Sequence, residues 1–511
     1  MPTILPALLL AVPLVAALLC LIPAPAAVAE GVSVLSAPLL LALAVAVAVR
    51  AGWTPGTCRS GAPPGLCGGT VDALGLYVDA LSALLVLVIG LVAAVALLYS
   101  RGYMRAEVTA GHLPEGTLRW YYLWLHLFVA SMFAAVLAGN LGVLWVAMEV
   151  TTVLSGVLVG ISRRPDALEA AWKYVVICSL GIALALFGTV LMYYSATPLL
   201  GHGNSALDWA TLLQVAPHLN PALVRLSFAF VLIGFGTKAG LAPMHTWLPD
   251  AHSQAPSPVS AILSAALLNC ALYAILRYHA LTMRALGPAF STHLLLAFGL
   301  VSVAVAIPFI LIQHDVKRLL AYSSVEHVGI IAAATGVGGR LALFAALLHL
   351  LNHALTKCGM FLAIGTVIQR LRTRNITRLG GAARVAPTLA TVLLLGGLAL
   401  AGSPPFGPFL SEFTAVRAAI AQGVGLAGVV LLALLAVAFG SLLAQLGHVA
   451  LGPACHRATK GSARARELGH APALLSSSAL AIPAAAVLLL GVHVPDTLVT
   501  LLQRASTVVG G

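Results

Sequence analysis

Apolar runs, each about as long as a bilayer crossing, follow one another along nearly the whole chain. The short segments between them hold most of the charge. Runs that could span hydrocarbon as helices, at about 20 residues each, fall near residues 4–22, 31–50, 79–100, 120–138, 140–160, 170–194, 224–247, 257–281, 291–312, 319–337, 341–369, 386–418, 424–450 and 472–492. The pattern predicts an all-α polytopic membrane protein with about fourteen transmembrane helices.

Two runs are interrupted. The seventh continues as GFGTKAGLAPMHTWLPDAHSQAPSPVSA, and the twelfth breaks at GSPPFGP, residues 402–408. Proline removes a backbone donor and clashes with the preceding turn. In hydrocarbon the freed carbonyls need protein or water partners. The breaks lie five spans apart, and an odd offset reverses orientation. Spans 4–8 and 9–13 are therefore expected to be two inverted five-helix repeats, each broken at its fourth member, with a transport site at their interface. The chain divides into N-terminal helices 1–3 (1–118), a first repeat (119–282), a second repeat (283–450), and a cytoplasmic loop with the last helix (451–511).

Composition agrees with this reading: 60% of the 511 residues are hydrophobic and 8% charged, against about 25% charged in a soluble domain. The formal charge of +12 would suggest nucleic acid in a soluble chain. Here the basic residues lie in short loops, so membrane topology explains them. Loops after odd-numbered spans are rich in arginine and lysine, from Arg101 and Arg105 through Arg163, Arg164, Arg372 and Arg374. Loops after even-numbered spans hold few. The positive-inside rule then puts the odd loops in the cytoplasm and both termini outside. PAPAAVAE faintly resembles a signal cleavage site, but the first run lacks a basic leader and is read as a retained helix.

None of the seven cysteines forms a CxxC pair, which argues against zinc or an iron–sulfur cluster. Cys20, Cys178, Cys270 and Cys358 read as small packing residues. Cys58 and Cys67 share a Gly/Pro-rich loop and are either a disulfide or two free thiols; an outside location for the loop favours the bridge.

The few ionisable groups within spans are the candidate functional residues, because a charge inside the membrane is expensive. Glu149 lies midway along span 5 and Lys238 in span 7, roughly 20 Å along its helix at ~1.5 Å per residue. Glu326 and His327 lie in span 10, and His349, His353 and Lys357 in span 11. Glu412 follows the second break. A spacing of four puts His349, His353 and Lys357 on one face, as a proton relay requires. A nearby carboxylate favours a charged lysine and burial disfavours it. A modest movement of Glu149 against Lys238 could therefore decide whether the lysine keeps its proton. The alternative is a static ion pair. Glu412 is read as the end of the route, or as a charge at a helix start. His327 is read as a link between halves. Lys173, His245, Asp250 and His252 are candidate path entrances, with a snorkelling anchor and loop hydrogen bonding as their structural alternatives. Arg277 and Lys317 are expected at the interface.

These residues resemble a known family: the antiporter-like, proton-conducting subunits of respiratory complex I, Mrp-type sodium/proton antiporters and membrane-bound hydrogenases. The resemblance runs from about span 3 to span 13. It rests on Glu149 in its helix, TKAGLAPMHTWLPDAHSQAPSPVSA, DVKRLLAYSSVEHVG, HLLNHALTKCGMF and GSPPFGPFLSEF. Within it, EAAWKYVVICSLGIALALFGTV, SAALLNCALYAILRY and PPFGPFLSEF are most similar to hydrogenase-4 component F, found with group 4 [NiFe] hydrogenases and formate hydrogenlyases. The resemblance implies the fourteen-helix inverted-repeat fold and a Glu149–Lys238 charge switch. It also implies a relay through His353 and Lys357, with Glu412 at its terminus. Where complex I relatives carry a lysine or histidine on the central axis of span 8, this chain has Asn269. The link from Lys238 to His353 would then pass through water or His327.

The function expected is a proton-translocating (or sodium-translocating) subunit of a redox-driven complex in the cell membrane. Its partners would be other membrane subunits and a [NiFe] hydrogenase-like arm. The chain carries no ligands for an electron-carrying centre and no cofactor of its own, so it is not the redox catalyst alone. Alternatives are a proton-pumping subunit of NADH–quinone oxidoreductase, an Mrp-like antiporter, and a membrane subunit of inorganic-carbon uptake. The last span is followed by about 20 residues, without the long amphipathic helix that some complex I relatives carry.

Overall fold

The computed structural model describes residues 4–53, 69–71, 75–380, 383, 387–452 and 474–510. Among these, eleven helices are long and apolar enough to cross a membrane, or twelve if the bent C-terminal pair counts as one span. In chain order they begin with α1 (Ile4–Leu21), α2 (Ala26–Trp53), α3 (Ala80–Thr109), α4 (Thr117–Leu137), α5 (Leu141–Val159) and α6 (Pro165–Leu200). A two-stranded hairpin, Thr70–Val71 with Tyr77–Val78, precedes α3. Next come the short α7 (Trp209–Val215), then α8 (Pro221–Ala239), α9 (Trp247–Gln254), α10 (Ser257–Ile262) and α11 (Leu268–Leu286). Then follow α12 (Ala289–Leu311), α13 (Val316–Val337), α14 (Gly339–Leu371), the one-turn α15 (Ile376–Leu379), α16 (Pro387–Leu400), α17 (Gly407–Ala421) and α18 (Gly425–Leu451). The chain closes with α19 (Leu474–Val492) and α20 (Asp496–Gly510).

The two interruptions end their helices in the same way. After α8, Gly240 adopts a left-handed conformation at φ 81°, and the Leu241 amide reaches back to Gly236 O at 2.9 Å. After α16, Gly402 has φ 73°, and the Ser403 amide reaches Leu398 O at 3.0 Å. A glycine that can take positive φ lets the chain turn off the helix while its last carbonyls remain bonded. Both helices thus end at a glycine turn, and the first of these turns, Gly240–Ala242, is enclosed by protein.

Burial sorts the helices into a centre and a rim. The α10–α11 span is wholly enclosed and α3 and α14 nearly so, whereas α1, α6, α12 and α18 turn a broad apolar side outward. Leu180, Trp172, Leu426 and Val429 are among the exposed side chains on those outer faces. Lipid tails are as apolar as leucine, so such helices associate through close packing of small residues. α6 and α8 show this: a Cβ on Gly234 would stand 2.5 Å from both Ala185 N and Gly181 O.

Several expectations are revised. Arg277, expected at the interface, is buried in protein. It is fully enclosed on α11 and makes a bidentate bond to Asp79, at 2.6 and 2.8 Å. Its guanidinium is stacked among Trp209, Tyr273 and Tyr77. Lys317, also expected at the interface, is buried, and its ammonium bonds Ala255 O at 2.6 Å just beyond α9. The residues after α19 form a helix of their own, α20, bent 81° from α19 and packed on α3, α14, α2 and α11. Cys58 and Cys67 lie outside the described residues. Cys20, Cys178, Cys270 and Cys358 are buried free thiols, as packing residues would be.

Candidate functional site

The site grows from the first broken helix. Lys238 is the penultimate residue of α8, where a helix C-terminus favours a cation. The break holds that terminus within the protein, so the side chain is fully buried. Its ammonium donates to Met148 O at 3.0 Å and to Thr152 Oγ1, both on α5. Glu149 sits between those acceptors in sequence but points elsewhere. Its Oε1 accepts from Ser179 Oγ at 2.7 Å, and its Oε2 is buried without a partner. Lys238 therefore packs on the helix that carries Glu149, but the two side chains hold different groups. Beside the carboxylate, a 290 Å³ hollow on the outer surface is lined by Trp145, Val146, Val150, Val153 and Leu154.

A second lysine repeats the arrangement. Lys357 on α14 is fully buried and donates to Leu320 O at 3.0 Å and to Ser323 Oγ, both on α13. Each lysine is thus gripped by one carbonyl and one hydroxyl of a neighbouring helix, and each such helix carries a glutamate nearby: Glu149 on α5 and Glu326 on α13. Glu326 is buried, with Oε2 unpartnered.

Around Lys357 the expected relay comes together as a cluster. His349, His353 and Lys357 share a face of α14, as their spacing predicts. His327 Nδ1 and His349 Nε2 are 2.9 Å apart, and His349 Nδ1 lies 2.9 Å from Ser411 Oγ at the start of α17. The His327 ring is also 5.5 Å from that of His353. Both nitrogens of His353 and Nε2 of His327 are buried without a protein partner. Buried polar atoms are normally bonded to protein or water, so such atoms in a row suit a hydrated interior. Glu412 is buried beside this group; one of its oxygens and one nitrogen each of His327 and His349 lie within 4.8 Å of one another. Two imidazoles and a carboxylate this close together can pass a proton among them. The carboxylate lies over Gly402, where a Cβ would come 2.1 Å from Oε2.

His327 therefore belongs with the second cluster rather than between the clusters. The position between is taken by α11. A π-helical turn over Leu263–Leu267 joins α10 to it, a distortion frequent at functional sites. Asn269 follows, buried, with its amide donating to Ala265 O at 2.7 Å and reaching Leu350 O on α14 at 3.5 Å. Its Oδ1 has no partner.

The candidate entrances separate. His252 is deep inside: it is fully buried against Phe361, with neither nitrogen bonded. His245 lies edge-on to Phe309 and Tyr322, which stack on each other. Asp250 is at the arginine-rich face, 3.2 Å from Arg318 and 3.8 Å from Lys173, which also pairs with Glu169 at 2.6 Å. On the same face lies a 640 Å³ cavity that sequence reasoning missed, lined by Glu107, His112, Arg164, Lys317, Arg372 and Arg374 among others. Also missed was His279 on α11, fully buried with neither nitrogen bonded.

Residues 138–440 match the NADH:quinone oxidoreductase/Mrp antiporter transmembrane family, and residues 70–110 match the N-terminus of chain 5 of NADH-ubiquinone oxidoreductase (complex I). Among curated proteins, the chain is 43% identical to a hydrogenase-4 component F homolog of Methylacidiphilum infernorum, over 73% of this chain and 79% of that one. It is 34% identical to hydrogenase-4 component B of Escherichia coli, over 66% of this chain but only half of that longer protein. Among solved structures it resembles a chain of the membrane-bound sulfane sulfur reductase, an archaeal respiratory membrane complex. That match has TM-score 0.82 and 26% identity, over 99% of this chain and 97% of the other. A chain of the Mrp complex from a Dietzia species has the same TM-score at 22% identity and the same coverage, a likeness of fold.

Proposed function

The chain belongs to the NADH:quinone oxidoreductase/Mrp antiporter transmembrane family, and on that footing we propose that it moves protons across a membrane as one subunit of a redox-driven complex. The observation that carries this reading is the row of buried ionisable groups. Lys238 sits against α5, the π-turn and Asn269 at the start of α11 follow, and His353, Lys357, His327, His349 and Glu412 form the second cluster. Desolvating a lysine that is bonded to no carboxylate costs far more than its two hydrogen bonds return. That cost serves no purpose of stability and is repaid by transport.

In this mechanism Glu149 and Lys238 form the switch. The Lys238 ammonium rests on Met148 O and Thr152 Oγ1, and swinging Glu149 away from Ser179 would bring a carboxylate to it. That movement sets whether Lys238 keeps its proton or releases it through water toward Asn269 and His353. Glu412 receives the proton at the far end. Lys173, Asp250, His245 and His252 would supply it from the arginine-rich face. The matched glycine caps at Gly240 and Gly402, and the matched grip on Lys238 and Lys357, favour two inverted five-helix repeats in a fourteen-helix fold, helices 4–8 and 9–13. The segments would be 1–118, 119–282, 283–450 and 451–511, in a cell membrane with both termini outside.

Glu149 beside an outward hollow favours other membrane subunits seated there. The likeness to hydrogenase-4 components favours a [NiFe] hydrogenase-like arm as the redox partner. Affinity purification from the native membrane, with identification of the bound chains, tests this. Co-purifying redox subunits with metal centres are expected. Recovery of the chain without any redox subunit, but with sodium/proton exchange intact, would overturn the redox-driven reading in favour of a stand-alone antiporter.

A further inference from the structure

Ser411 is fully buried on the first turn of α17, and its hydroxyl stands at a fork. One way lie the carbonyls of its own helix, Pro408 O at 2.9 Å and Gly407 O at 3.3 Å; the other way lies His349 Nδ1, at 2.9 Å. The Asn352 amide approaches the same oxygen at 3.3 Å and can only donate. A hydroxyl has one proton to give, so it serves Pro408 O or His349, never both.

That choice fixes the protons of two histidines. With the hydroxyl turned to Pro408 O, Ser411 Oγ accepts from His349 Nδ1–H. His349 Nε2 is then a lone pair that accepts from His327 Nδ1–H, and His327 Nε2 is a bare acceptor. With the hydroxyl turned to His349, every one of these bonds reverses, and His327 presents Nε2–H instead. In a neutral imidazole one nitrogen carries the proton and the other does not, so a single rotor sets the polarity of the whole row.

We propose that Ser411 is a positioning residue of the proton path, whose hydroxyl terminates the His327–His349 hydrogen-bond wire and resets its tautomers after each passage. The step balances. From the first arrangement, a proton arriving at His327 Nε2 forms an N–H bond there as the Nδ1 proton crosses to His349 Nε2. The Nδ1 proton of His349 passes to Ser411 Oγ, and the Ser411 proton leaves through water for the Glu412 carboxylate, which lies beside the two histidines. Both histidines are then in the reverse tautomer. Each imidazole then releases its Nε2 proton to water and takes one at Nδ1, leaving its proton count unchanged, and rotation of the hydroxyl back to Pro408 O restores the start. No oxidant or reductant takes part.

The inference rests on the proposed proton-translocating function, and the test separates the two. The purified full chain is reconstituted in liposomes, a potassium diffusion potential is imposed with valinomycin, and proton uptake is read from a trapped pH-sensitive dye. S411A is expected to lower uptake about tenfold or more while the protein remains monodisperse, and S411T, which keeps the rotor, restores most of it. The comparison is S441A, another buried serine bonded only to its own helix at Val437 O, which leaves uptake unchanged. Wild-type uptake by S411A alongside a dead H349A overturns the role of Ser411 and leaves the transport reading standing. Equal loss in S411A and S411T also overturns it, since packing rather than a hydroxyl would then be at stake. Wild-type uptake by H349A would remove the transport reading itself.

Discussion

The Arg277–Asp79 pair allows a worked prediction about what holds the central helix in place. The two side chains are 2% and 0% exposed, and the guanidinium carbon lies 4.6, 4.8 and 5.5 Å from the rings of Trp209, Tyr273 and Tyr77. Asp79 also caps α3, accepting from the Ser82 amide at 2.9 Å. Arg277→Met keeps most of the volume but strands a buried carboxylate, at a cost of about 3–5 kcal/mol. Loss of the stacked cation adds ~0.5–2 kcal/mol. Asp79→Asn preserves a cap acceptor but leaves the guanidinium without a counter-charge, and should cost about 3 kcal/mol. The double variant buries neither charge, so its cost should fall short of the sum of the single ones by ~2 kcal/mol or more, within the range measured for contacting residues. The assay is unfolding in mixed micelles titrated with dodecyl sulfate, followed by tryptophan fluorescence, to which Trp209 contributes. Single-variant losses below about 1 kcal/mol, or costs additive within ~0.5 kcal/mol, would show that the pair is solvated and does not clamp α11 to α3.

Two other substitutions probe packing and the site. Gly234→Leu should push α6 and α8 apart, because even a Cβ would meet Ala185 N and Gly181 O at 2.5 Å; recovery of monodisperse protein should fall sharply, whereas Gly440→Leu, with open space at its Cβ, should leave it unchanged. Gly402→Ala combines a φ of 73° with a Cβ 2.1 Å from Glu412 Oε2. It should displace the carboxylate and lower proton uptake about tenfold in protein that still folds, and normal uptake would remove Glu412 from the path.

Hydropathy located the helices because each must present about 20 apolar residues to lipid, and the same physics made Glu149, Lys238, His349, His353 and Lys357 conspicuous. Proline and glycine located the breaks. What could not be read is what depends on distant partners. Asp79 and Arg277 are 198 residues apart, and Arg277 near the end of an apolar run looks like an ordinary interface arginine. The buried Lys238 could be foreseen, but its partners could not. An α-helix offers carbonyls and hydroxyls all along its length, so the sequence named Glu149, whereas the ammonium lies on Met148 O and Thr152 Oγ1. The π-turn before Asn269 has no residue signature within LSAAL. α20 escaped because its polar and apolar positions alternate around the helix and its mean hydropathy is low beside that of the spans.

The central claim is that Lys238 and Lys357, the two buried and similarly gripped lysines, carry protons through the membrane interior. Proton uptake by liposomes holding the full chain under an imposed potential tests it most directly, with Lys238→Met and Lys357→Met compared with wild type and with the exposed Arg340→Met. The account predicts that each lysine variant loses uptake about tenfold or more while remaining folded, and that Arg340→Met does not. Undiminished uptake in both lysine variants would contradict it.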